Sequence, residues 1–161
     1  MKKIPLFMLL VGVCWATANW TLFSPSGSMF SVQVPYPMGD PQPIPEGAIW
    51  TGAEKGSALF MLSAANISST PATRSSLIQA GLGPLMVSAK IVEKSRKKVQ
   101  CNGLEGVEVE GDKHVISGQT FPATVRVMSS DRRIYNMIVI RFNPSSPSAQ
   151  QFLESLRETS P

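Results

Sequence analysis

The residues whose types could do chemistry are few and scattered. His114 is the only histidine, and Cys14 and Cys101 are the two cysteines. A hydrolytic triad needs a nucleophile, a base and an orienting acid, and no Gly-x-Ser-x-Gly elbow supplies the first. His114 ends the polar segment Gly111-Asp112-Lys113-His114 and reads as a solvated turn residue rather than a base. One His and one Cys cannot fill a tetrahedral zinc site without carboxylates drawn from distant loops. Glu105, Glu108 and Glu110 are closely spaced, but in a strand Glu105 falls on the face opposite the other two. They read as solubilising charge, with a weak cation site as the alternative. There is no phosphate loop or dinucleotide fingerprint. No catalytic, metal or cofactor-binding residue is assigned, and no cofactor is expected.

One charge run has a shape. In Lys94-Ser95-Arg96-Lys97-Lys98, an extended strand projects Lys94, Arg96 and Lys98 one way and Lys97 the other. Three cations spaced about 6.5 Å apart suit an anionic partner or a phospholipid surface. They equally suit an edge strand guarded from aggregation by lysine. Both readings stand at this level.

The elements that must position these residues follow an export signal. Lys2 and Lys3 precede an apolar run from Ile4 to Trp15, and Ala16-Thr17-Ala18 supplies a cleavage site. That run is shorter than the roughly 20 residues that span a bilayer, so the expectation is a signal peptide over 1–18 and a single globular domain over 19–161. A lipid-modified Cys14 is disfavoured because Val13 stands where that signal wants a small residue. Export puts the protein in the periplasm or outside the cell. Without Lys2 and Lys3 the formal charge of +4 falls by two, too little for a nucleic-acid footprint. With Cys14 gone, Cys101 is the only thiol, so packing rather than disulfides must hold the domain. Cys101 itself reads as a small half-buried residue near a strand end. Asn66-Ile67-Ser68 is a glycosylation sequon, relevant only in a eukaryotic secretory pathway.

Within the domain, Trp20 to Phe23 and Phe30 to Val34 read as a hairpin. Five prolines from Pro35 to Pro45 read as a stiff surface loop. Strands are expected at Ala48 to Thr51 and Ser57 to Ala64. Thr70 and Pro71 signal a helix start, and Gly81-Leu82-Gly83-Pro84 predicts a break near Gly83. Ile91 to Gln100 reads as a strand and Asn102-Gly103 as a turn. Val107 and Val109 alternate with Glu108 and Glu110 in a half-exposed strand ending at Gly111-Asp112. Phe121 to Met128 and Arg133 to Phe142 flank a turn, and the second is apolar on both faces, as a strand covered from both sides must be. A closing helix carries Ala149, Phe152, Leu153 and Leu156 on one stripe. One helix cannot cover two faces, so the expected fold is α+β: an antiparallel sheet sandwiched between helices on both faces.

This order resembles the PsbP-like superfamily, which includes the extrinsic PsbP subunits of photosystem II and a family of Ran-binding nuclear import factors. The resemblance runs from about Trp20 to Leu156. Its carriers are Trp20-x-x-Phe23, then Gly27-x-x-Phe30-Ser31-Val32-x-Val34-Pro35, then Gly103, Gly106 and Glu108 at a strand start. Arg133-x-Tyr135 and the closing Phe152-Leu153-Glu154-Ser155-Leu156 complete them. The interrupted segment Gly81-Leu82-Gly83-Pro84 departs from the pattern. The resemblance implies an α/β/α sandwich and a non-enzymatic accessory protein that docks on or stabilises a protein complex, in the thylakoid lumen if the source is cyanobacterial. Lys94, Arg96 and Lys98 are the candidate partner surface, the protein partner itself being unidentified. No nucleic acid and no transmembrane segment in the mature chain are expected. The alternative is an exported small-ligand or lipid-binding protein, with Leu77 to Val87 as a lid over a pocket.

Overall fold

The computed structural model describes residues 20–115 and 117–159; the expected leader over 1–18, with Cys14, lies outside the described residues. The opening hairpin forms as the alternation predicts. β1 (Thr21–Phe23) pairs antiparallel with β2 (Phe30–Val34). β3 (Gln42–Ile44) and β4 (Gly47–Glu54) come next, so the proline-rich stretch is not all loop. Pro43 is tolerated because β3 is an edge strand, where a missing N–H costs no ladder bond on the open side.

β5 (Ala58–Asn66) leads into α1 (Pro71–Ala89), whose Thr70 N–H donates to Thr73 Oγ1 at 3.0 Å in a capping box. The expected break near Gly83 does not occur: the helix runs unbroken past Pro84. Ile78, Leu82 and Met86 recur every four residues and are all buried. Gly83 and Pro84 fall on the solvent side, where water can serve the carbonyl that Pro84 leaves without a donor. Burial of one stripe outweighs the local propensity.

β6 (Ile91–Cys101), β7 (Leu104–His114), β8 (Thr120–Ser129) and β9 (Arg133–Arg141) form an antiparallel meander. Asn102 and Gly103 join the first two with φ of 50° and 82°, the type I′ turn that fits strand twist. At Gly106 no side chain is possible, since a Cβ would sit 2.1 Å from the Val127 carbonyl oxygen. α2 (Ser148–Glu154) and β10 (Arg157–Glu158) close the chain.

The large sheet has the order β3-β4-β5-β9-β8-β7-β6, and a second sheet the order β1-β2-β10. α1 lies over β6, β7 and β8, burying Val107, Val109, Val125 and Val127 beneath it. The other face of the large sheet packs Phe60, Leu62, Tyr135 and Met137 against Phe30, Val32 and Val34 of β2 and Phe152 of α2.

This overturns the α+β sandwich. Among the described residues the structure is 51% strand with two helices, so it is mostly β and not a sheet between two helical layers. The second face is covered by the small sheet together with the seven residues of α2. β9 is covered on both sides as its sequence predicts, for Ile138 and Met137 are buried on opposite faces. That cover needs no second helical layer, because a strand pair can cover a face as well as a helix can.

Candidate functional site

The basic run lies on β6, an edge of the large sheet, but its cations do not share a face. A bulge between Glu93 and Ser95 inserts Lys94 as an extra residue and shifts the alternation. Arg96 and Lys98, opposite Val109 and Val107, lie on the α1 face. There Arg96 is held by Glu93 at 2.6 Å and by Gln79 at 2.9 Å. Lys94 instead meets Asp112 at 2.7 Å, and Lys97 meets Glu108 at 2.8 Å. Among the described residues Lys98 has no ion-pair partner. The three residues named as a partner surface are thus split, and two are already charge-compensated. A lysine-rich, bulged edge is what guards a sheet against pairing.

The acids are not a solvated stripe. Glu108 is 3% exposed and Arg126 4%. Arg126 Nε donates to Glu108 Oε2 at 2.7 Å, and Nη1 donates to the Leu153 carbonyl at 2.8 Å near the end of α2. The pair therefore ties α2 to the sheet. Burial pushes the Glu108 carboxyl up, but hydrogen bonds from Lys97 and Arg126 outweigh it and hold the group below its ordinary 4.5. A depressed folded value means stability that is complete above the unfolded pKa and is lost as pH falls through the folded one. Urea midpoints should therefore hold steady above about pH 5 and drop below it, and Glu108→Gln should flatten that drop. Identical acid slopes for both proteins would count against the buried pair. Glu110 accepts from Thr124 Oγ1 at 2.7 Å and pairs with Arg141 at 2.7 Å, while Glu105 sits exposed beside Arg74.

Cys101 ends β6 half-buried, with Sγ donating to the Glu154 carbonyl at 3.1 Å. Burial pushes its thiol above the ordinary 9.0, the wrong direction for a nucleophile. His114 is exposed at the end of β7, its backbone N–H donating to the Lys90 carbonyl at 3.0 Å. Asn66 ends β5, its Oδ1 accepting from Arg133 Nε at 3.2 Å. Among the described residues no three His, Cys, Asp or Glu side chains gather as a metal site requires. No helix among them is long and apolar enough to cross a membrane.

The feature that sequence reasoning approached only from one side is a groove. Because α1 lies over β6 to β8, the sheet beyond β9 keeps part of that face open. Leu59 and Met61 of β5, Ile138 and Ile140 of β9, and Leu85 and Ala89 of α1 enclose about 290 Å³ there. Thr51, Ser88 and Lys113 are its polar members. Leu85 falls within the segment expected to act as a lid. The β-strand wall was not foreseen, since Leu59 and Ile140 meet only through the register that sets them opposite each other. Beyond Ile140 the rings of Phe121 and Phe142 stack edge-on at 5.2 Å, with Phe142 still exposed.

No protein-family model matches this chain, and no curated protein matches it. Among solved structures it is similar to a crystal structure from Bacteroides thetaiotaomicron VPI-5482, with a TM-score of 0.56 at 10% identity. The alignment covers 82% of this chain and 46% of that one, so the chain spans less than half of that neighbour's length. At this identity the likeness shows a shared fold and carries no function.

Proposed function

We propose that this is an exported, non-enzymatic binding protein, and that it holds a small apolar ligand. The observation that carries the reading is the groove between α1 and the open part of the sheet. Its walls are six aliphatic or thioether side chains, five of them half-buried with no protein group filling the space between them. Water in such a groove gains little from its walls, and an apolar guest replaces it favourably at about 25 cal/mol per Å² covered. The volume lies at the low end of ligand pockets, which suits one chain or ring rather than a two-chain lipid. Export rests on the leader-like segment Lys2 to Ala18.

Titration with a neutral short-chain alkyl glycoside, followed by methyl NMR, tests the reading. Shifts should concentrate at Leu59, Met61, Leu85, Ile138 and Ile140. Shifts that never appear, or that spread evenly over the surface, would refute it. A second reading, docking on a protein complex, is favoured by the exposed ring of Phe142 at the groove's end. It predicts that a partner protein perturbs Phe121 and Phe142 and leaves the groove methyls unmoved.

A further inference from the structure

The groove does not end in neutral surface. It shares Ser88 and Lys113 with a second cleft of about 290 Å³, lined also by Lys90, His114 and Val115. An apolar trough therefore runs into a cationic pocket, and among the described residues no acid lines either part. Asp112, the acid next in sequence to Lys113, is turned away by the alternation of β7 and is engaged by Lys94. The Lys113 ammonium donates to the Ala89 carbonyl at the end of α1, which uses one of its three hydrogens and fixes its place. Lys90, in the left-handed conformation that ends α1, stands on the same rim with an exposed side chain. His114 adds a ring N–H donor.

Resting on the groove reading, we propose that the ligand is a single-chain aliphatic carboxylate, its chain along Leu59, Met61, Leu85 and Ile140 and its head between Lys113 and Lys90. The two halves select different parts of one molecule. Carbon walls reward a chain and refuse a charged one, while the cations reward an anionic head and repel a cationic one. The small volume limits the guest to one chain.

Calorimetry below the critical micelle concentration tests this with dodecanoate, a neutral dodecyl glycoside and dodecyltrimethylammonium. Dodecanoate should bind one to one and at least about fivefold more tightly than the neutral chain, the worth of one or two exposed charge contacts. The cationic chain should bind weakest. Lys113→Gln and Lys90→Asn, the latter keeping a residue tolerant of left-handed backbone, should each bring dodecanoate toward the neutral chain. Glycoside binding should fall far less than dodecanoate binding in either variant, and near-ultraviolet dichroism reports that the variant is folded. Equal affinity for all three heads would overturn the anionic inference and leave the groove standing. Binding of none of them would overturn both.

Discussion

Arg126→Met should destabilise the protein by about 3 kcal/mol, because it strands the buried Glu108 with Lys97 as its remaining ion-pair partner. The loss is set by what stays behind. Glu108 is 3% exposed, so water cannot take over from the guanidinium, and the Leu153 carbonyl at the end of α2 loses its donor as well. For a chain of this size the change lowers the melting temperature on the order of 10 °C. Adding Glu108→Leu removes the orphaned charge, so the double variant should be more stable than Arg126→Met alone. Lys97→Ala should cost little, since that ammonium is largely in solvent. A double variant less stable than the single one, measured by urea titration with near-ultraviolet dichroism, would show that the pair is not a closed unit.

The larger effect is expected at Ile138. It is 3% exposed in β9, flanked by β5 and β8 and packed among Ile78, Val125 and Met61 in the cluster beneath α1. Ile138→Asp removes that apolar contact and buries a carboxylate without a partner, at several kcal/mol. Against a total stability of roughly 5–15 kcal/mol, most of the population should unfold. Glu110→Ala is the comparison. Its bonds to Thr124 and Arg141 raise the expected cost to about 1 kcal/mol, above what a free surface acid would lose. Because Ile138 also lines the groove, tolerance of aspartate there would mean that water reaches the groove floor. That outcome would weaken the ligand reading along with the assignment of the core.

Periodicity was legible wherever a face is decided locally. Val107 and Val109 inward, Met137 and Ile138 on opposite sides of β9, and the stripe Ala149, Phe152 and Leu153 all follow from alternation or helical spacing. What was not legible depends on distant partners. Glu108 looks like any exposed acid until the β7–β8 register sets Arg126 opposite it. The cover of the second sheet face needs residues from both ends of the chain, Phe30 to Val34 and Arg157 to Glu158. One inserted residue, Lys94, was enough to undo the common face assumed for the basic run, and no composition rule marks a bulge. Pro84 signalled a break correctly as chemistry, but its side of the helix is solvent, and the buried side decided the matter. The groove has the same origin: its β5 and β9 walls pair no closer in sequence than Asn66 with Arg133, and only topology joins them.

The pairing of β5 with β9 also sets a timetable for the chain as it is made. Asn66 has to wait for Arg133 before the centre of the sheet can close. At a ribosome's pace of about 5–20 residues per second, that wait is on the order of ten seconds. β2 waits longer still, since Phe30 finds its partner Glu158 almost at the last residue described. The β6 to β9 meander, with short turns between neighbours, can form as soon as it emerges. Until α2 follows, Phe60 of β5 travels without the Phe152 ring that packs against it.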